Sequence, residues 1–240
     1  HLSLRRQRQM CIRDRFFDEE SYSYSYLVGN EEGNATLIDP VKNNIHHYET
    51  RLKKLNLNLI YALDTHIHAD HITGLGELRE RFGCETIMGN QSKVSCISRT
   101  VSNDDIIFFE ELNFRAIHTP GHTDDSYCYL LKSDLRQFLF SGDTLLIKGN
   151  GRTDFQNGDP SLLYKSLHNK ILKLDDETII YPAHDYNGLK SSSIKNEKNL
   201  NERLHMDEST FIDFMNNLKL ENPKLMDVAI PLNLECGVMK

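Results

Sequence analysis

"DTHIHADHITG", residues 64–74, places three histidines and two acids in eleven positions. Upstream, "NLIYALD" (58–64) is an apolar run of strand length. Downstream, "ITGLGELRERFG" (72–83) has the spacing of a helix that starts just after His71. The histidines therefore fall at a strand's C-terminal end and in the turn that follows. In open α/β sheets, ligands bind in the crevice outside such strand ends. His66 and His68 are two residues apart and share one face of an extended chain. Asp70 and His71, beyond the turn, can reach the same point from another side. Histidines also serve simply as hydrogen-bonded groups of a core. Four ligand-type residues in six positions weigh against that, because each would need its own buried partner.

The same grammar, an apolar run and then a ligand-type residue, recurs three times. "LNFRAIHTPGH" (112–122) turns at Pro120 and Gly121 and delivers His122. "QFLFSGDTL" (137–145) delivers Asp143 after Gly142, and "ETIIYPAHD" (177–185) delivers His184. Glycine before the ligand permits a tight backbone approach. Seven candidate ligands result: His66, His68, Asp70, His71, His122, Asp143 and His184.

Around these segments, "YSYSYLVGN" (22–30) alternates with period two and "ATLIDP" (35–40) runs back, which predicts a hairpin over 22–40. "NNIHHYETRLKKLNL" (43–57) predicts a helix with His46 and His47 on its solvated side. "CETIMG" (84–89) and "SYCYLLK" (126–132) are further strands. "DPSLLYKSLHNKILKL" (159–174) is a helix with Asp159 as N-cap and Pro160 at its first position. "ESTFIDFMNNL" (208–218) is amphipathic, and "DVAIPLNLECGV" (227–238) reads as an apolar extended segment. The alternation predicts an α/β fold in a single domain, and 240 residues suffice for a real core.

A net charge of −7 argues against nucleic acid as the main partner. No apolar run approaches the ~20 residues of a membrane span. The five cysteines, Cys11, Cys84, Cys96, Cys128 and Cys236, are odd in number and lack a C-x-x-C pair, which fits a reducing compartment better than a disulfide framework. Residues 1–15, "HLSLRRQRQMCIRDR", carry five arginines against one acid and look foreign to the rest. An Arg-rich targeting segment has such a composition. A non-native or disordered segment that packs against nothing is the favoured expectation, leaving 16–240 as the domain.

H-x-H-x-D-H, then G-H-T, then G-D, then a late A-H resembles the metallo-β-lactamase superfamily. "SGDTLLIKGNGRTDFQNGDP" (141–160), "YPAHDYNG" (181–188), "SSSIKNEKNLNERL" (191–204) and "LNLECGV" (232–238) are similar to its persulfide dioxygenase group. The similarity covers roughly residues 16–238, and G-R-T-D-F-Q is its discriminating string.

The resemblance implies an αββα sandwich with a metal site at one edge. It implies one Fe(2+) held by His66, His122 and Asp143, with His68, Asp70, His71 and His184 orienting ligands or left over from a second metal site. Arg152, Tyr186 and Cys236 are the residues it places near substrate. For Arg152 an ion pair with Asp154 is an equal expectation, for Tyr186 packing beside Pro182, and for Cys236 a buried inert thiol. The implied reaction is oxidation of glutathione persulfide with O2 to sulfite and glutathione, in a homodimer that is cytoplasmic if bacterial and mitochondrial if eukaryotic. Asn150 stands where relatives often carry cysteine, and Glu202 replaces the proline of N-P-R-L. The rival is a thioester hydrolase of the glyoxalase II type, for which all seven ligands could hold two Zn(2+) sharing Asp143. Such hydrolases usually carry a longer helical C-terminal region. A metal-binding protein without catalysis is a third class, disfavoured because open ligand sets belong to catalytic sites.

Overall fold

Several of the apolar runs, among them 23–29, 85–89, 127–131 and 137–142, form strands buried along nearly their whole length, as strands lying between two other layers are. The structure is a computed structural model and describes residues 12–110, 112–133, 136–186 and 188–238. One sheet carries β1 (Ile12–Asp18), β2 (Ser23–Gly29), β3 (Asn34–Ile38), β4 (Asn58–Leu63), β5 (Glu85–Gly89) and β6 (Arg99–Val101), in that spatial order. Its first three strands are antiparallel, and β3 to β6 run parallel. The other sheet carries β7 (Ile106–Phe109), β8 (Leu112–His118), β9 (Tyr127–Lys132), β10 (Gln137–Gly142), β11 (Ile179–Pro182) and β12 (Ser192–Ser193). All its neighbours are antiparallel except β10 and β11.

Between the sheets lie Tyr26, Val28, Ile38, Leu63 and Ile87 from the first and Phe109, Phe114, Tyr127, Tyr129 and Phe140 from the second. Outside the first sheet, α1 (Ile45–Leu55) and α2 (Leu75–Phe82) seal a second core through Tyr48, Leu52, Leu75 and Leu78. Outside the second, α3 (Pro160–Asn169), α4 (Ile194–Leu200) and α5 (Glu208–Asn216) contribute Leu163, Leu167, Ile194, Phe211 and Met215. This is the expected αββα sandwich. Asp159 caps α3 as expected, its side chain accepting from the Leu162 amide.

Four expectations need correction. The C-terminal segment is not extended: α6 (Met226–Asn233) is a helix with Pro231 inside it. Pro231 and the β-branched Val228 and Ile230 argue locally against a helix. Burial of Ala229 and Asn233 overrides them. The helix after the histidine motif begins at Leu75, not directly after His71, because Thr73 is bridged to Val41.

Ile12, Asp14 and Arg15 do not hang free. They lie in β1, paired with β2; Asp14 meets Arg51 at 2.6 Å, and the Arg15 guanidinium sits 4.4 Å from the centre of the Tyr24 ring. Residues 1–11, and with them most of the foreign-looking segment, lie outside the described residues. The fourth correction concerns sulfur. Cys96 and Cys236, 140 residues apart, form a disulfide, so Cys236 is not a free thiol. Spacing along the chain could not announce a pair brought together only by the docking of α6.

Two outcomes follow. Phe114, fully buried between the sheets, should cost about 3–5 kcal/mol of unfolding free energy on replacement by alanine, measured by urea titration. Alkylation of the denatured, unreduced protein should leave Cys96 and Cys236 unlabelled, with both labelled after a thiol reductant, as read by peptide mass.

Candidate metal centre

Four strand ends meet at one edge of the sandwich. β4 is followed by His66 and His68, β8 and its turn by His122, β10 by Asp143 and β11 by His184. Two glycines make the approach possible. Gly121 has φ +142°, and a Cβ there would collide with the Leu163 backbone. Gly142 has φ +52°, and its Cβ would fall 2.7 Å from Thr65 Oγ1. Tyr26 and Tyr129, whose hydroxyls donate to the Pro182 and Asp64 carbonyls, pin the ends of β11 and β4 from inside the core.

His66, His122 and Asp143 form one group, each with a ligand atom within 4.8 Å of the others'. How each is aimed follows from its remaining hydrogen bonds. His122 Nδ1 faces the Arg152 carbonyl at 2.7 Å. A carbonyl only accepts, so Nδ1 is the donor there and Nε2 is the nitrogen turned to the group. That Nε2 lies 3.5 Å from Asp143 Oδ2. His66 Nδ1 lies 3.0 Å from Thr65 Oγ1, which leaves Nε2 to face the group. Asp143 Oδ1 is held by His184 Nδ1 at 2.7 Å, so its Oδ2 is left for the group. Burial lowers the His66 pKa and keeps the ring neutral. Two imidazole nitrogens and one carboxylate oxygen are the donor set of a cation site, and the geometry fits one.

His68 is held at one nitrogen, while its buried Nδ1 has no hydrogen-bond partner and lies 3.9 Å from Asp70 Oδ1. Its Nε2 lies 3.2 Å from Asp39 Oδ1, and Asp39 also accepts from the Thr65 amide at 2.7 Å. Burial alone would lower the His68 pKa, but the Asp39 carboxylate reverses this and pushes it up to about 9. Asp70, His71 and His184 form a knot beside His68: Asp70 Oδ2 lies 2.9 Å from His71 Nδ1 and 3.1 Å from His184 Nε2, and ligand atoms of His68, Asp70 and His71 also lie within 4.8 Å of one another. Burial opposes a charge on His184 as well. Asp143 and Asp70 on either side outweigh it and hold the ring well above the usual histidine range.

The three residues expected near substrate behave differently. Arg152 forms its ion pair: Nε and Nη2 donate to the two oxygens of Asp154, both at 2.6 Å, and Nη1 donates to the Glu221 carbonyl at 2.6 Å. Tyr186 is exposed, its ring parallel to His184 at 6.0 Å between centroids and 5.9 Å from the Tyr22 ring. Cys236 lies in the outer core under α2.

Sequence reasoning missed Asp39, Ser23 and Asn233. The Asn233 side chain donates to the carbonyls of His68 and His71 and accepts from the Thr73 amide, so α6 clamps the histidine loop. Asp39 obeys the same strand-then-polar grammar in "ATLIDP", which was a usable signal. Ser23 and Asn233 carried none.

The metallo-β-lactamase superfamily model matches residues 18–95 and 97–184. The chain is 42% identical to "Persulfide dioxygenase ETHE1, mitochondrial" of Mus musculus over 92% of its length and 87% of the relative's. The crystal structure of ETHE1 from Myxococcus xanthus superposes with a TM-score of 0.91 at 44% identity, covering 95% of this chain and all of that one. A hydroxyacylglutathione hydrolase of Francisella tularensis subsp. novicida is 34% identical over 74% of the chain and 68% of the relative. The chain belongs to the metallo-β-lactamase superfamily and, within it, to the persulfide dioxygenase family.

Proposed function

We propose that this chain is an iron-dependent persulfide dioxygenase that oxidises glutathione persulfide with O2 to sulfite and glutathione. The observation that carries this reading is the grouping of His66, His122 and Asp143, a set that does not include His68, whose Nε2 is held by Asp39. Two histidines and one carboxylate with open positions are the donor set of non-haem Fe(2+) oxygenases. A three-histidine set on that side would favour zinc hydrolysis instead.

When bound, the iron supplies the electrons that activate O2 and a positive charge for the persulfide sulfur. The chain does the rest. The Arg152 carbonyl and Thr65 hold the two imidazoles in the tautomer that ligates. His184 fixes Asp143 through one oxygen and leaves the other free. The near-complete burial of the five histidines limits water at the reacting atoms. Tyr186, exposed beside His184, stands where its hydroxyl can contact the persulfide. Arg152 has a positioning role: its guanidinium ties the loop after Gly151 to residues 220 and 221, and its carbonyl steers His122. The balanced reaction takes one water besides O2. Both atoms of O2 and the water oxygen end in sulfite, glutathione leaves as the thiol, and two protons are released.

The rival thioester hydrolase has one observation in its favour: Asp70, His71 and His184 remain side by side. The family comparison supports the dioxygenase over more of the chain. Among the described residues no helix is long and apolar enough to cross a membrane, and the mouse relative's name gives a mitochondrial setting, which we propose for this chain if its source is eukaryotic.

Anaerobically purified protein should hold about one iron per chain and consume O2 only when glutathione persulfide is added. Two zinc ions with thioester cleavage and no O2 uptake would leave the hydrolase. His122→Ala should lose the metal, seen by elemental analysis, and at least about a hundredfold in persulfide-dependent O2 uptake while keeping its circular dichroism. His68→Ala should keep its metal.

A further inference from the structure

Ser23 opens β2, and the function proposed above gives it no task. It is buried, and its place is fixed from two sides. Its backbone bridges to His184, and the next amide, that of Tyr24, donates to the Ala183 carbonyl at 2.7 Å. This drives the side chain into the knot of unused ligand-type residues. Ser23 Oγ donates to Asp70 Oδ2 at 2.6 Å and lies 3.2 Å from both His71 Nδ1 and His184 Nε2. One hydroxyl thus touches all three side chains that could complete a second cation site beside Asp143.

We infer that the Ser23 hydroxyl is the determinant that holds this centre to one metal: it fills the space between Asp70, His71 and His184 and ties up Asp70 Oδ2 and His184 Nε2 there. A cation bound there needs oxygen and nitrogen ligands at roughly 2.0–2.2 Å. The hydroxyl oxygen, in hydrogen-bond contact with each of the three, occupies that same space. Asp70 Oδ2 accepts from the hydroxyl and from His71, with His184 Nε2 close by, so its lone pairs are spent without a metal. His184 is committed on its other side as well, through Nδ1 to Asp143. Among the side-chain ligand atoms of the three residues, Asp70 Oδ2, His71 Nδ1 and both nitrogens of His184 are engaged, while His71 Nε2 has no partner and stays available to a cation once the space is open. Removing the one hydroxyl leaves a gap the size of an oxygen atom at its centre and releases one of the contacts on Asp70. The site this opens would take a divalent cation of the zinc type, with Asp143 Oδ1 within reach.

The inference rests on the reading of His66, His122 and Asp143 as a metal site, not on the reaction catalysed there. The test counts metal in the full-length protein with Zn(2+) as the probe. Apoprotein is saturated with Zn(2+), freed of loosely held ions by gel filtration, and measured by elemental analysis. Wild type should hold one zinc per chain and Ser23→Ala two. Ser23→Thr keeps the hydroxyl and should stay at one. Adding His184→Ala to Ser23→Ala should return the count to one. Two zinc ions in wild type or in Ser23→Thr overturn the inference, because the hydroxyl then bars nothing. One zinc in a Ser23→Ala protein that melts like a folded chain overturns it alone. No zinc in wild type overturns the metal reading and this inference together.

Discussion

A carboxylate has two oxygens, and the site depends on how Asp143 divides them. Oδ1 faces the His184 ring, and Oδ2 faces His122. That division makes Asp143 a one-oxygen ligand of fixed orientation. It also separates two half-sites that in a two-metal enzyme share the carboxylate. Burial by itself would raise the Asp143 pKa; the adjacent His184 and His122 reverse this and keep it ionised. The negative charge is therefore in place before any cation arrives.

The sandwich exists, at this edge, to hold that division. β10 and β11 are parallel neighbours, so Asp143 and His184 leave the sheet side by side. β4 belongs to the facing sheet and brings His66 across the gap. Each sheet thus supplies part of the donor set, and the aromatic layer between them sets the distance. The outer elements act at one remove. α6 clamps the histidine loop through Asn233, and the Cys96–Cys236 disulfide ties the end of that helix to the chain beyond β5. The Arg152–Asp154 pair braces the loop whose carbonyl steers His122. Damage far from the metal can reach it along these three routes.

Much of this was legible in the chain because strand period and ligand type are local properties. The seven candidate ligands and the four strand ends that carry them could be read from short windows, and they converge as expected. What could not be read was the partition of the seven. "HIHADH" is the same string whether His68 ligates or turns to Asp39, and the outcome is decided by a residue 29 positions away. Ser23 was hidden for a related reason. In "SYSYSY" (21–26) every serine looks alike, and only the bridge between Ser23 and His184 singles one out. The C-terminal helix was misread because its local propensities oppose its packing, and Cys236 with it.

The most direct test is a crystal structure of the iron-loaded protein with diffraction recorded on both sides of the iron absorption edge. The account predicts one anomalous peak per chain, within ordinary bonding distance of His66 Nε2, His122 Nε2 and Asp143 Oδ2, with His68 still on Asp39. A peak ligated by His68, or a second peak among Asp70, His71 and His184, would contradict it.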